Sequence, residues 1–111
     1  MLGDQDLALP ARMMDLHAMR QKLGAHNIAN AEVSGFRKLS AHFGDEFLRA
    51  AQSGDVNAMR QAPIRVTSEK STGIDSEAEV AGMTKNEVLF SAFAEIASFR
   101  LRMLRTAITS K

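Results

Sequence analysis

The chain has 111 residues and no cysteine, so it is long enough for one domain with a modest core, and disulfides and thiolate metal sites are excluded. Its formal net charge of +1 gives no overall attraction to nucleic acid or to an anionic membrane. No run approaches the roughly 20 apolar residues of a membrane-spanning helix. The acidic N-terminal stretch with Asp4 and Asp6 is not typical of a cleaved secretory signal. From the residues alone we therefore expect a cytoplasmic protein, unless a route without signal cleavage exports it.

The first predicted element is an amphipathic helix over residues 7–30. Pro10 suits its first turn, where a missing N–H is tolerated, and Val33-Ser34-Gly35 stops it. One heptad seam, interrupted by Arg20, is apolar until its last turn, where two amides follow. The seam consists of Leu9, Met13, Leu16, Leu23, Asn27 and Asn30. The two amides either cap the helix or set its register against a partner, and the sequence leaves both interpretations open.

The middle of the chain, residues 31–73, carries weaker signals. A short helix is predicted near residues 40–52, because Phe43, Phe47, Leu48 and Ala51 fall on one face and Ser53-Gly54-Asp55 follows. Residues 55–73 lose periodicity apart from the alternation over residues 64–67. We interpret them as a loop, ordered or disordered, with at most one short strand.

The strongest signal is a helix over residues 76–108. It begins with a predicted capping box, in which the side chains of Ser76 and Glu79 satisfy the first backbone N–H groups. One apolar stripe consists of Val80, Met83, Glu87, Phe90, Ala94, Ala97, Leu101, Leu104 and Ile108. A second stripe consists of Leu89, Phe93, Ile96 and Met103, with Arg100 between them. A single partner helix of about 20 residues cannot cover both stripes. Together the stripes present too much apolar surface to be left exposed to water.

The predicted fold is therefore all-α and forms one unit over residues 1–111. The long N- and C-terminal helices pair as an antiparallel coiled-coil-like hairpin, with the short middle helix and the irregular loop between them. The second stripe has two possible partners: a neighbouring molecule, or the helix over residues 40–52 in a three-helix bundle. Periodicity alone does not choose between them.

Chemical sites give no comparable signal. His17, His26 and His42 lack the spacing of metal ligands on a helix and are interpreted as solvated. The carboxylates cluster near helix starts, where the helix dipole favours them. No glycine-rich phosphate loop or nucleophile motif is present. We therefore predict no catalytic, metal or cofactor-binding residues, no nucleic-acid partner and no small-molecule substrate, so that the chain is not an enzyme.

The stretch from Asn27 to Lys38 resembles the N-terminal signature of bacterial flagellar axial proteins, the family of rod, hook and hook-associated subunits. The matching residues are Asn27, Ala29, Asn30, Gly35, Phe36 and either Arg37 or Lys38; Val33 and Ser34 stand where Thr and Pro are usual. The C-terminal half is similar to the closing segment of proximal-rod subunits. The residues that carry this match are Ile74, Asp75, Glu77, Met83, Asn86, Met103, Leu104, Arg105, Ala107 and Ile108.

The resemblance implies a structural subunit that self-assembles in the flagellar basal body, within the periplasmic rod, to transmit torque for motility. Its implied partners are other rod subunits, the adaptor between the rod and the inner-membrane ring, and the flagellar type III export apparatus, which needs no cleaved signal peptide. The residues expected to mediate assembly are Asn27, Asn30, Gly35, Phe36, Met83, Phe90, Leu101, Leu104 and Ile108. The alternative is a small cytoplasmic helical module that binds or regulates another protein.

Overall fold

The computed structural model describes residues 4–70 and 74–110. In chain order its elements are α1 (Asp4–Ala29), β1 (Arg37–Phe43), α2 (Asp45–Ser53), α3 (Val56–Gln61), β2 (Ile64–Lys70) and α4 (Ser76–Thr109). The fold is mostly helical: the long helices α1 and α4 pack together, and a small two-stranded antiparallel sheet and two short helices complete it. No helix within the described ranges combines the length and apolarity needed to cross a bilayer.

The two long helices confirm the predictions for residues 7–30 and 76–108. Their contacts run in opposite directions, because His17 of α1 lies against Phe93 whereas Gly24, two turns later, lies against Met83. The predicted capping box of α4 was wrong. The cap is Asp75, whose carboxylate accepts hydrogen bonds from the backbone N–H groups of residues 77 and 78. Glu79 is therefore free to form an ion pair elsewhere.

The sheet corrects the all-α prediction. β1 and β2 pair antiparallel, with Arg37 opposite Lys70 and Phe43 opposite Ile64. Residues 40–43, which we predicted as helix, are extended because Leu39, Ala41 and Phe43 alternate toward α1. The alternation over residues 64–67 marks a strand, as predicted, and β2 extends it to Lys70.

Two short helices lie in the middle of the chain: α2 confirms the predicted middle helix from residue 45 onward, and α3 replaces part of the predicted loop. α2 begins at Asp45 and ends at Ser53; Gly54 caps it, adopting φ 74° and donating its N–H to the carbonyl of Ala50. α3 follows at once, because the Asp55 carboxylate caps it by accepting from the N–H of Ala58. Residues 55–73 are thus not one irregular loop; residues 71–73 lie outside the described part.

Two apolar clusters form the core, and neither is centred on α4. One joins α2 to α3 through Phe47, Ala50, Met59 and Ala62. The other joins the predicted α1 seam to β1, through Leu16, Leu23 and Ala41. No described side chain of α4 is buried, so the three-helix bundle in which the middle helix covers α4 is not formed.

Candidate assembly surface

Asn27 connects the last turn of α1 to strand β1. Its side chain is 1% exposed, and both ends of its amide are hydrogen bonded to the backbone of Leu39. The Nδ2 group donates to the Leu39 carbonyl over 2.9 Å, and Oδ1 accepts from the Leu39 N–H over 3.0 Å. One amide thus makes the two bonds that a residue of a neighbouring strand would make. This arrangement satisfies a buried polar group that would otherwise be costly.

A second α1 side chain reaches the same edge of β1. The Nε group of Arg20 donates to the carbonyl of Ala41 over 3.0 Å. Arg20 interrupts the apolar seam of α1, and this bond to β1 accounts for a charged residue at that position. Together, Arg20 and Asn27 cover the β1 edge that faces away from β2.

The residues after Asn27 shape the turn between α1 and β1. Asn30 donates from Nδ2 to the His26 carbonyl over 2.9 Å, so it caps the end of α1. Gly35 adopts φ 77°, which is costly for a residue with a side chain. The Phe36 ring packs against the His26 ring at a centroid distance of 5.5 Å. We name Asn27, Asn30, Gly35 and Phe36 the joint.

The sequence left two roles open for the amides of the joint, and the structure shows that the two residues act differently. Asn30 is a cap, whereas Asn27 fixes the position of β1 against α1 inside the chain. The role of these residues in register between molecules stays a prediction. The same holds for Phe36, whose half-buried ring already has one contact within its own chain.

The interface between α1 and α4 contains a buried histidine. His17 is 3% exposed, so its predicted solvation was wrong. Its Nδ1 lies 3.0 Å from Oδ1 of Asn86, and with that oxygen as acceptor Nδ1 carries the hydrogen. The imidazole also stacks on Phe93 with a centroid distance of 5.9 Å. The described residues contain no group of three His, Asp or Glu side chains that could hold a metal ion.

Close to the joint, α4 approaches both α1 and β1. A Cβ atom on Gly24 would lie 2.8 Å from Cγ of Met83, so the absence of a side chain allows the helices to approach closely here. Lys38 of β1 forms a 2.8 Å ion pair with Glu79. The hydrogen bond to this carboxylate raises the pKa of Lys38 above its ordinary 10.5, against an opposing effect of partial burial. These groups line a cleft of about 300 Å³ between α1, β1 and α4.

Much of the apolar surface of α4 faces solvent. Among the residues predicted to mediate assembly, Phe90 is 38% exposed, Leu101 47% and Ile108 62%. Met83 and Leu104 are half-buried. The predicted residues therefore fall in two places: the joint, at one end of α1, and this helix.

A further apolar stripe on α4 was not predicted from the sequence. Val88, Ala92, Ile96, Phe99 and Met103 are separated by steps of three or four residues, so they share one side of the helix, and all five are exposed. We name these five residues the outer stripe. The spacing was readable from the sequence, but Val88 and Phe99 were in neither predicted stripe. An exposed apolar surface of this kind is typical of protein contact surfaces.

Comparisons of the chain with models of known protein families, with curated proteins and with solved structures found no match.

Proposed function

We propose that this protein is a structural subunit of the bacterial flagellar proximal rod, which packs against neighbouring subunits through α4. The proposed role is mechanical and non-enzymatic. The observation that carries the proposal is the pairing of two features in one chain: a joint that resembles the axial-protein signature, and a long helix whose apolar outer stripe lacks a partner within the described residues.

The outer stripe supports assembly on energetic grounds. In the proposal, α1 and α4 form an antiparallel coiled-coil-like hairpin, and the outer stripe is left for a neighbouring subunit. Phe99 is 55% exposed and Val88 63%. Burying a large apolar side chain completely gains roughly 1.5–3 kcal/mol, so several such residues can supply a substantial part of the free energy of assembly.

The joint supports the proposal by its construction. A side-chain amide, a helix cap and a glycine at positive φ lie within nine residues and fix the exit of the chain from α1. In an assembling subunit this rigidity would hold β1 and the middle segment at a constant position relative to the helical pair. The proposed partners are other rod subunits and the adaptor to the inner-membrane ring. Delivery through the type III export apparatus, without signal cleavage, is part of the same proposal.

Deletion of the gene in its source bacterium is the first test. We expect cells that are non-motile and that lack rod and filament in isolated basal bodies, with motility restored by the wild-type gene. Complete basal bodies and normal swimming in the deletion strain would contradict the proposal and favour the cytoplasmic module.

Point variants then test the surface. Phe99→Asp and Val88→Asp place a charge on exposed positions of the outer stripe, and burying it between helices would cost several kcal/mol. Ser98→Asp is the matched control, because it adds the same charge at an exposed polar position of the same helix, outside the outer stripe. We expect all three chains to fold and to be exported, but only the control to restore swimming. Normal swimming by both apolar-site variants would show that this surface is not an assembly contact.

A further inference from the structure

The two edges of the sheet differ in the described part of the chain. The outer edge of β1 is bonded to Asn27 and Arg20 of α1, whereas β2 pairs with β1 and has no second strand partner. Residues 65–70 are exposed throughout, so another strand can approach β2 from outside. An open strand edge presents unpaired N–H and C=O groups, and proteins commonly protect such edges.

The hydrogen bonds of Leu39 identify which groups of β2 point outward. In an antiparallel ladder, successive residues direct their N–H and C=O groups alternately toward and away from the paired strand. Leu39 directs both groups to Asn27, away from β2, so its partner Ser68 also faces away from β1. By the same alternation Val66 faces outward, whereas Thr67 faces β1.

This pattern is self-complementary around Thr67. If a second β2 ran antiparallel across a two-fold axis at Thr67, Val66 would lie opposite Ser68 of the partner subunit. Both residues have outward-facing groups, so the backbone bonds of the new ladder could form. The flanking Arg65 would lie opposite Glu69 of the partner subunit, and the axis repeats this pair of opposite charges. Thr67 would lie opposite its own copy in a closely spaced pair without backbone bonds.

We propose that β2 is a homodimer edge: two copies of this chain pair their β2 strands antiparallel, centred on Thr67, and form a continuous four-stranded sheet. The occupant is a second copy because the charges match in this register. A shift that placed Arg65 opposite Arg65 would put like charges together. This contact is separate from the outer stripe of α4 and does not depend on a role in the flagellar rod.

Two existing contacts bear on the pairing. Arg65 binds Glu46 over 2.7 Å, but its side chain is 52% exposed and can extend the pair to a second carboxylate. The Arg37 guanidinium donates to the Ser68 carbonyl over 3.3 Å and to its hydroxyl over 3.4 Å. Because this carbonyl faces outward, the Arg37 guanidinium and the second strand would compete for it or share it, since a carbonyl oxygen can accept two hydrogen bonds. Arg37→Ala should therefore not weaken dimerisation.

Cysteine cross-linking tests the register, since the chain has no cysteine of its own. Thr67→Cys places two thiols on the proposed axis, where the Cα atoms of a non-hydrogen-bonded pair lie about 4.5 Å apart and a disulfide can form. Ser68→Cys is the matched control, because its copies would be diagonal neighbours, roughly 7–8 Å apart. We expect oxidation to convert purified Thr67→Cys, and not Ser68→Cys, to a covalent dimer. Equal cross-linking of the two variants, or none, would overturn the proposed register.

Charge exchange provides a second test that needs no disulfide. Arg65→Glu and Glu69→Arg each create two like-charge pairs, so each variant alone should dimerise about tenfold more weakly in sedimentation equilibrium. An equimolar mixture of the two restores opposite charges at both positions and should recover the wild-type affinity. Wild-type protein that stays monomeric at all accessible concentrations, or a mixture no stronger than its components, would overturn the proposal. Circular dichroism of each variant checks that the chain is folded.

Discussion

The joint and the C-terminal half of α4 place polar and apolar side chains in opposite ways. At the joint, Asn27 is 1% exposed and its amide is hydrogen bonded at both ends, whereas on α4 Phe99 is 55% exposed to solvent. A buried amide is stable only when its partners are fixed, and here the chain supplies them itself. An exposed apolar stripe gains its stabilisation only from a second surface. The difference separates the part of the molecule completed by folding from the part that remains available for association.

The largest effect expected from this comparison concerns two leucines. Leu16→Ala removes a side chain that is 4% exposed and should lower the free energy of unfolding by about 2–5 kcal/mol. Leu101→Ala makes the same chemical change at 47% exposure and should alter stability by no more than about 0.5 kcal/mol. Urea unfolding of both variants, followed by circular dichroism, measures the difference. Equal losses would mean that the α4 surface is already covered in the free protein.

A smaller effect is expected at the two asparagines. Asn27→Leu keeps the side-chain size but leaves the N–H and C=O of Leu39 without partners, which should cost about 2–4 kcal/mol. Asn30→Leu is the natural control, because it removes a single exposed bond to the His26 carbonyl and should cost about 0.5–1.5 kcal/mol. The denaturant midpoints of the two variants show which of them is less stable. If Asn30→Leu proved the more damaging, the joint would depend on the cap rather than on the bond to the strand.

Two glycines should respond with opposite signs. An added Cβ at Gly35 or at Gly82 would meet no atom within 4 Å, so packing does not distinguish the two positions. Gly35 has φ 77°, and Gly35→Ala should cost about 1–2 kcal/mol. Gly82 lies inside α4, and Gly82→Ala should stabilise the protein by about 0.5–1 kcal/mol. Thermal unfolding reports both signs, and a stabilising Gly35→Ala would exclude a strained turn at the joint.

The smallest effect concerns the ion pair that links the joint region to α4. The pKa of Lys38 is raised in the folded protein. The contribution of its ion pair to the free energy of unfolding is therefore complete below the ordinary pKa of 10.5, and it is lost as the pH rises through the higher pKa of the folded state. Lys38→Met should cost at most about 1 kcal/mol at neutral pH, because the Lys38 side chain is 38% exposed and solvent screens the pair.

The pH dependence supplies the control for that variant. The difference in unfolding free energy between wild type and Lys38→Met should shrink in strongly alkaline buffer, above the ordinary pKa of lysine. Lys85→Met is the matched variant for comparison, because it removes the same charge from an exposed position on α4. A difference that grew with pH would contradict the assigned sign.

The sequence predicted the long helices because their signals are local. α4 repeats its apolar residues at helical spacing over its whole length, and α1 does so up to the joint. β1 was missed because Phe43 and Phe47 fit one helical face as well as Phe43 and Ala41 fit one strand face. Pairing with β2, which lies more than 20 residues later, selects the strand over the helix. A short stretch of sequence around β1 does not include that partner.

Among the site residues, too, local structures were predictable from the sequence and contacts with distant residues were not. Gly35 and Asn30 were predictable because a turn and a cap are local structures. His17 was not, since its partner Asn86 is 69 residues away and nothing near His17 indicates burial. Asn27 was recognised as important, but its true partner, the Leu39 backbone, required a strand that the prediction did not include. Asp75 displaced Ser76 as the cap of α4 because both residues suit that position and the sequence does not rank them.

The strand-like bonding of Asn27 also has a consequence for the order of folding. Asn27 and Leu39 are 12 residues apart, whereas His17 and Asn86 are 69 apart, so closing the first contact costs less chain entropy. A two-stranded sheet alone is only marginally stable, so the contact of β1 with the end of α1 is expected to support the sheet early in folding, before α4 docks. We therefore expect substitutions at Asn27 to slow refolding, and substitutions at Asn86 mainly to accelerate unfolding, in stopped-flow experiments.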